Sequence, residues 1–150
     1  MTWEAAGFIA DELIGFGASG EVWRGRDSET GETVALKRLR VGRQDDEQDG
    51  LCREAAVLAA FSHPDVVRLR GVLTTTSGPV LVLDHAAGGS LSGLLARRGR
   101  CTAAEVIGLV VTLSSALAAA HSAGLTHGDI SPGNVLIDAS GRALLADLGT

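Results

Sequence analysis

The hydrophobic rhythm of this chain changes once, and the change divides what its two halves can become. Through residue 84 the apolar runs are short, alternate with polar residues and are punctuated by glycine-bearing turns. "DELIGFGASGEVWRGRD", residues 11–27, holds two such runs about a glycine-rich turn. "SETG" leads into "ETVALKRL", where Val34 and Leu36 share one face of a strand and Ala35 and Lys37 the other. Three antiparallel strands are the expectation. "VGRQDDEQDG", 41–50, reads as a polar loop. "LCREAAVLAAF", 51–61, reads as a helix, because Leu51, Ala55, Leu58 and Ala59 recur at helical spacing, and Pro64 ends it. "VVRLRGVL" and "PVLVLD", joined by "TTTSG", complete an expected five-stranded sheet.

After "HAAGG", 85–89, which reads as a hinge, the pattern turns helical. Ser90–Arg98 has the look of a short helix, and Thr102 with Glu105 three residues on is a capping signature for a longer one. "VIGLVVTLSSALAAA", 106–120, is fifteen uncharged residues, short of the roughly 20 that span a bilayer, so a buried central helix is expected. The loop "THGDISPGN", the run "VLI", a turn at "DASG" and the run "ALLAD" follow. The chain is therefore α+β, with a strand-rich part over 1–84, a hinge over 85–89 and a mainly helical part over 90–150.

Composition removes several function classes. Hydrophobic residues at 45% and charged ones at 21% in 150 residues describe one globular domain and not a disordered chain. A net charge of −5 opposes general nucleic-acid binding, which needs a positive surface. "MTWEAAGFIADE" lacks the basic-then-apolar profile of a secretory signal. Cys52 and Cys101 form no metal or redox spacing and read as reduced thiols, which with the missing signal implies a cytoplasmic protein.

Three motifs carry chemistry. "GFGASG", 15–20, matches GxGxxG, whose glycines let backbone amides approach phosphates. With 20 glycines such a match arises by accident in roughly one chain in three. Its place between two strands disfavours a dinucleotide fold and favours a flap over phosphates. "HGDISPGN", 127–134, is far more specific, since H-x-D-x-x-x-x-N is expected by chance in about two chains per thousand. It offers a carboxylate to receive or orient a hydroxyl proton and, in the chain's only asparagine, a neutral oxygen suited to a hard cation. "DLG", 147–149, adds a candidate anionic magnesium ligand in Asp147. Lys37 stands apart as the single lysine beside twelve arginines.

With "VALK", "REAAVL…HPDVV" and "NVL", in this order, the set resembles the eukaryotic-type protein kinase catalytic domain, over the whole chain but only the first part of that domain. The resemblance implies a bilobal fold, ATP and Mg2+ as cofactors, and a protein hydroxyl as acceptor. Lys37 would touch the α- and β-phosphates and pair with Glu54. Its compact ammonium serves phosphate and carboxylate together, where an arginine's planar fork would not. Ile14, Gly15, Phe16, Gly17, Ala18, Ser19 and Gly20 would cover the phosphates. Val22 and Ala35 would lie above the adenine and Leu136 beneath it, with Leu83 at the back. The Asp84 carbonyl and the Ala86 amide would bind the adenine edge. Asp129 would be the catalytic aspartate, and Asn134 and Asp147 the magnesium ligands. His127 would brace the loop.

The chain departs from that family in places. Gly128 stands where many kinases have an arginine that reads activation-loop phosphorylation, and Ser131 replaces a lysine that steadies the moving phosphoryl group. Leu148 replaces a phenylalanine. The sequence stops at Thr150, before any activation segment, so a fragment or truncated product of a longer kinase is expected, with an apolar face open to water. Three activities stay open: Ser/Thr phosphotransfer, an ATP-binding pseudokinase without turnover, and a small-molecule phosphotransferase of the aminoglycoside-kinase type. ATP and an unidentified protein substrate are the expected partners, with no nucleic acid and no membrane contact within this chain.

Overall fold

A computed structural model describes residues 2–17, 20–38 and 45–148. The chain divides into two compact units, Met1–Ala59 with Arg68–His85, and Ala60–Val67 with Ala86–Thr150.

In the first unit, six strands form one sheet. They are β1 (Trp3–Ala5), β2 (Phe8–Gly17), β3 (Gly20–Asp27), β4 (Thr33–Arg38), β5 (Leu69–Thr75) and β6 (Gly78–Asp84), in the order β1-β2-β3-β4-β6-β5 and antiparallel throughout. The alternation of β4 has a direct consequence. Val34 and Leu36 pack with Ala10, Trp23, Val80 and Val82 in one apolar cluster, which leaves Ala35 and Lys37 for the opposite face.

Five strands were expected, and β1 is the sixth. Ala6 (φ 44) and Gly7 (φ 86) form a turn that folds the first residues back on β2, pairing Ala5 with Phe8. Trp3 packs edge-on against Trp23, ring centroids 6.3 Å apart, and the Arg38 guanidinium lies 4.4 Å from the Trp3 ring centroid. A three-residue strand shows no usable periodicity, which is why the sequence reading passed over it.

The helix α1 (Asp45–Ala60) starts six residues before the expected Leu51, inside what read as a loop. Its opening residues are acidic in sequence, and acidic residues suit the positive end of a helix dipole. Leu51, Ala55 and Leu58 are buried as their spacing implied, but Ala59 is exposed and Glu54 joins the buried stripe instead.

The second unit is built on a small antiparallel sheet, β7 (Gly89–Ser90), β8 (Val135–Ile137) and β9 (Ala143–Leu145), with α2 (Leu91–Arg98) and α3 (Ala103–Ser122). Ser90 caps α2, its hydroxyl accepting the Gly93 amide at 3.2 Å. Thr102 and Glu105 form the full capping box of α3, with amide-to-side-chain bonds of 2.7 and 3.2 Å. Gly88 has no alternative, because a Cβ there would lie 2.8 Å from the Ile137 carbonyl oxygen. The segment after α1 belongs to this unit through a contact 77 positions long. Arg142 donates to Asp65 at 2.7 Å, while Val67 and Leu145 exchange backbone bonds with Leu145 and Asp65.

The expectation of a buried central helix is overturned. Of α3 only Ala116 and Ala120 are buried, whereas Ile107 and Val111 are each 65% exposed and Val106 and Val110 nearly half or more. Small alanines allow close approach at one stretch, and among the described residues nothing covers the branched stripe. The argument from length also falls: at 20 residues α3 is, by length and composition, apolar enough to cross a membrane.

Candidate active site

Within the first unit, Lys37 and Glu54 meet. Nζ lies 2.7 Å from Oε2, and the two side chains are 1% and 2% exposed. A charge so far from water needs a partner, and each supplies the other's. Strand register places further expected residues beside them. Val22 pairs with Lys37 and Ala35 with Leu83, so Val22, Ala35, Lys37 and Leu83 share one sheet face. Gly15 pairs with Val22, and a Cβ on it would sit 3.2 Å from the Val22 Cβ, so glycine gives this hairpin its close approach. Ile14 and Phe16 are exposed on β2, and Gly17 pairs with Gly20 across the turn. Ala18 and Ser19 lie outside the described residues. Asp84 ends β6, its amide donating to the Arg68 carbonyl at 3.0 Å.

Within the second unit, the loop after α3 closes on itself through hydrogen bonds. The Asp129 amide donates to His127 Nδ1 at 3.2 Å, and His127 Nε2 donates to the Ala146 carbonyl at 2.7 Å. The Ala146 amide donates to the Asn134 carbonyl at 2.8 Å. The Asn134 side-chain amide then returns to Asp129, 2.8 Å to its carbonyl and 3.0 Å to Oδ2. These contacts assign the proton of the buried His127 ring to Nε2 and hold the exposed Asp129 carboxylate in one orientation. With its NH2 group engaged, Asn134 presents its amide oxygen as the donor for a cation.

Asp147 follows Ala146 directly and has φ 57, the left-handed region that aspartate tolerates better than most residues. Such backbone conformations cluster at functional positions. Leu136 lies on β8, paired with Leu144. Gly128 has φ 81, so the residue that departs from the family pattern also meets a backbone requirement.

Among the described residues no three His, Cys, Asp or Glu side chains form a metal cluster. An amide oxygen and one carboxylate nevertheless suit magnesium, which is commonly held by one or two protein oxygens together with substrate phosphates. A second constellation, Ser115, His63 and Asp65, has the composition of a hydrolytic triad but not its chemistry. His63 Nδ1 accepts the Asp65 amide at 3.1 Å and lies 3.9 Å from its carboxylate, so the ring is not set to take a proton from Ser115.

Sequence reading missed the role of Ala146, whose backbone bridges His127 and Asn134, and the Asp65–Arg142 tie. Backbone bridges leave no side-chain signature, and a pair 77 positions apart has no spacing to read.

The protein kinase domain family matches residues 8–150. This chain belongs to that family. CBL-interacting protein kinase 29 from Oryza sativa subsp. japonica is 40% identical over 148 residues, covering 91% of this chain and 33% of that protein. Serine/threonine-protein kinase PkaA from Streptomyces coelicolor is 34% identical over 158 residues, covering 95% and 29%. NUAK family SNF1-like kinase 2 from Rattus norvegicus is 33% identical over 140 residues, covering 92% and 22%. The chain thus spans about a third or less of the length of these relatives. Strand β1 lies ahead of the kinase-domain match.

Proposed function

We propose that this kinase-domain chain binds ATP with magnesium and transfers the γ-phosphoryl group to a serine or threonine hydroxyl of a protein. The observation that carries the reading is the bonded circuit that fixes the Asp129 carboxylate while sparing the Asn134 amide oxygen. Lys37, held by Glu54, would neutralise charge on the α- and β-phosphates. Asn134 and Asp147 would hold magnesium, which when bound screens the negative charge of the phosphates. Asp129 orients the acceptor hydroxyl and takes its proton as the oxygen bonds to the γ-phosphorus. The bond from that phosphorus to the β,γ-bridging oxygen breaks, and ADP leaves.

Asp129→Asn should abolish phosphate transfer to a peptide panel while the ATP-and-magnesium thermal shift stays near that of the parent chain. Transfer that survives the substitution, or sugars phosphorylated in place of peptides, would overturn the assignment. Ser131 favours a second reading, a nucleotide-binding module without turnover, because a serine cannot neutralise developing charge. A nucleotide shift without transfer in the parent chain would select it.

A further inference from the structure

Trp3 lies ahead of residues 8–150, the part of the chain that the kinase family matches, yet it packs against strands that carry the site. Both tryptophans of the chain gather in one cluster with Arg38 and Glu21. The Arg38 guanidinium lies 4.4 Å from the Trp3 ring centroid and 5.5 Å from that of Trp23. Glu21 Oε2 accepts from Arg38 Nε and Nη2 at 3.3 Å each, and from Trp23 Nε1 at 3.1 Å. Arg38 and Glu21 are only 22% and 20% exposed, and the Trp3 ring shields the arginine fork from water that would screen the pair.

Position gives this cluster its leverage. Glu21 follows Gly20 at the start of β3, and pairs with Phe16 on β2 and Arg38 on β4. Arg38 follows Lys37, which pairs with Val22. Alternation puts Glu21, Trp23 and Arg38 on the face of the apolar cluster, and Val22 and Lys37 on the other. The Arg38–Glu21 pair therefore ties the base of the glycine-rich hairpin to the strand of Lys37 from behind. The β3–β4 register runs unbroken from Glu21–Arg38 to Arg26–Thr33, whereas β2–β3 shifts between Ala10 and Glu12 and again between Leu13 and Gly15. A ladder interrupted twice restrains its outer strand less, so the tie from β4 matters more.

We propose that Trp3 is a positioning residue for nucleotide: through Arg38 and Glu21 it fixes the glycine-rich hairpin that would cover the phosphates. The inference rests on the nucleotide-binding reading above and adds to it a residue outside the matched domain. Trp3 Nε1 is buried with no acceptor among the described residues, so the ring is held by its face and edge and not by its N–H. An aromatic ring without that N–H should serve as well.

ATP–magnesium titration and amide hydrogen exchange on the full chain test it. Trp3→Ala should weaken nucleotide binding by about threefold to tenfold. In the nucleotide-free chain it should speed exchange at Glu21 and Val22. Arg38→Lys, which keeps the charge without the fork, should reproduce both losses, and Trp3→Phe should stay close to the parent. Leu73→Ala removes another side chain packed on the same apolar cluster. It should lower the melting temperature at least as much as Trp3→Ala while keeping nucleotide affinity within about twofold. Parent-like affinity and exchange in Trp3→Ala, losses in Trp3→Phe equal to those of Trp3→Ala, or an equal loss of affinity in Leu73→Ala would each overturn the proposal. A parent chain that binds no nucleotide would instead overturn the phosphotransfer reading, and the exchange comparison then decides whether Trp3 holds the hairpin.

Discussion

Two ion pairs of this protein have the same closest distance and opposite surroundings. Lys37–Glu54 and Arg98–Glu105 each close to 2.7 Å. The first pair is 1% and 2% exposed, inside the strand-rich unit, and the second is 43% and 39% exposed, at the start of α3. Distance alone therefore says little about what either contributes. Water screens the outer pair and would readily solvate either member left alone, so its value lies in organising a helix cap. The inner pair is almost wholly withdrawn from solvent, and removing one member takes a counter-charge from a group that stays buried. A pair of that kind is a weak device for stability and a good one for holding an amine in place.

The largest effect should come from breaking the inner pair. Lys37→Met should lower unfolding free energy by about 3–5 kcal/mol in urea titrations, and the double variant Lys37→Met/Glu54→Leu should recover much of it. A single-variant loss under about 1 kcal/mol would place Lys37 in contact with solvent and dissolve the contrast. A middle effect sharpens the same point without charge. Ala120→Leu, at a fully buried position of α3, should cost about 1–3 kcal/mol by overpacking. Ile107→Gln on the open stripe should stay within about 0.5 kcal/mol and improve solubility. Equal costs would mean that α3 is enclosed on both sides.

The smallest effect belongs to the outer pair. The Arg98 side chain and the Thr102 amide hold the Glu105 carboxyl down to about 2, from an ordinary value near 4.5. A carboxyl lowered on folding adds stability above its unfolded value and loses it as pH falls through the folded one. The first turn of α3 should therefore fray between about pH 4.5 and 2, as read by amide hydrogen exchange at Glu105 and Val106. Arg98→Ala should move that midpoint upward, and an unchanged midpoint would remove the pair from the cap.

Much of this organisation is legible one residue at a time. The alternation over 33–38 assigns Val34 and Leu36 to one face and Lys37 to the other, and Thr102 with Glu105 announces the start of α3. The spacing of His127, Asp129 and Asn134 marks a loop that in the structure closes through hydrogen bonds. Two readings failed for a common reason. The loop assigned to 41–50, helical from Asp45 onward with 41–44 outside the described residues, and the buried helix assigned to 106–120 were read from runs of polar or uncharged residues, which do not say where a helix begins or which surface it meets.

By itself the amino-acid order determined the local periods, the caps and the inventory of reactive groups, because these depend on backbone geometry over a few residues. Tertiary structure alone decided that Arg142 reaches Asp65, that the Ala146 carbonyl accepts from His127 Nε2, and that most of α3 faces outward. Each of those outcomes depends on which distant surfaces come into contact and how much water they exclude. That is a property of packing, and no local spacing encodes it.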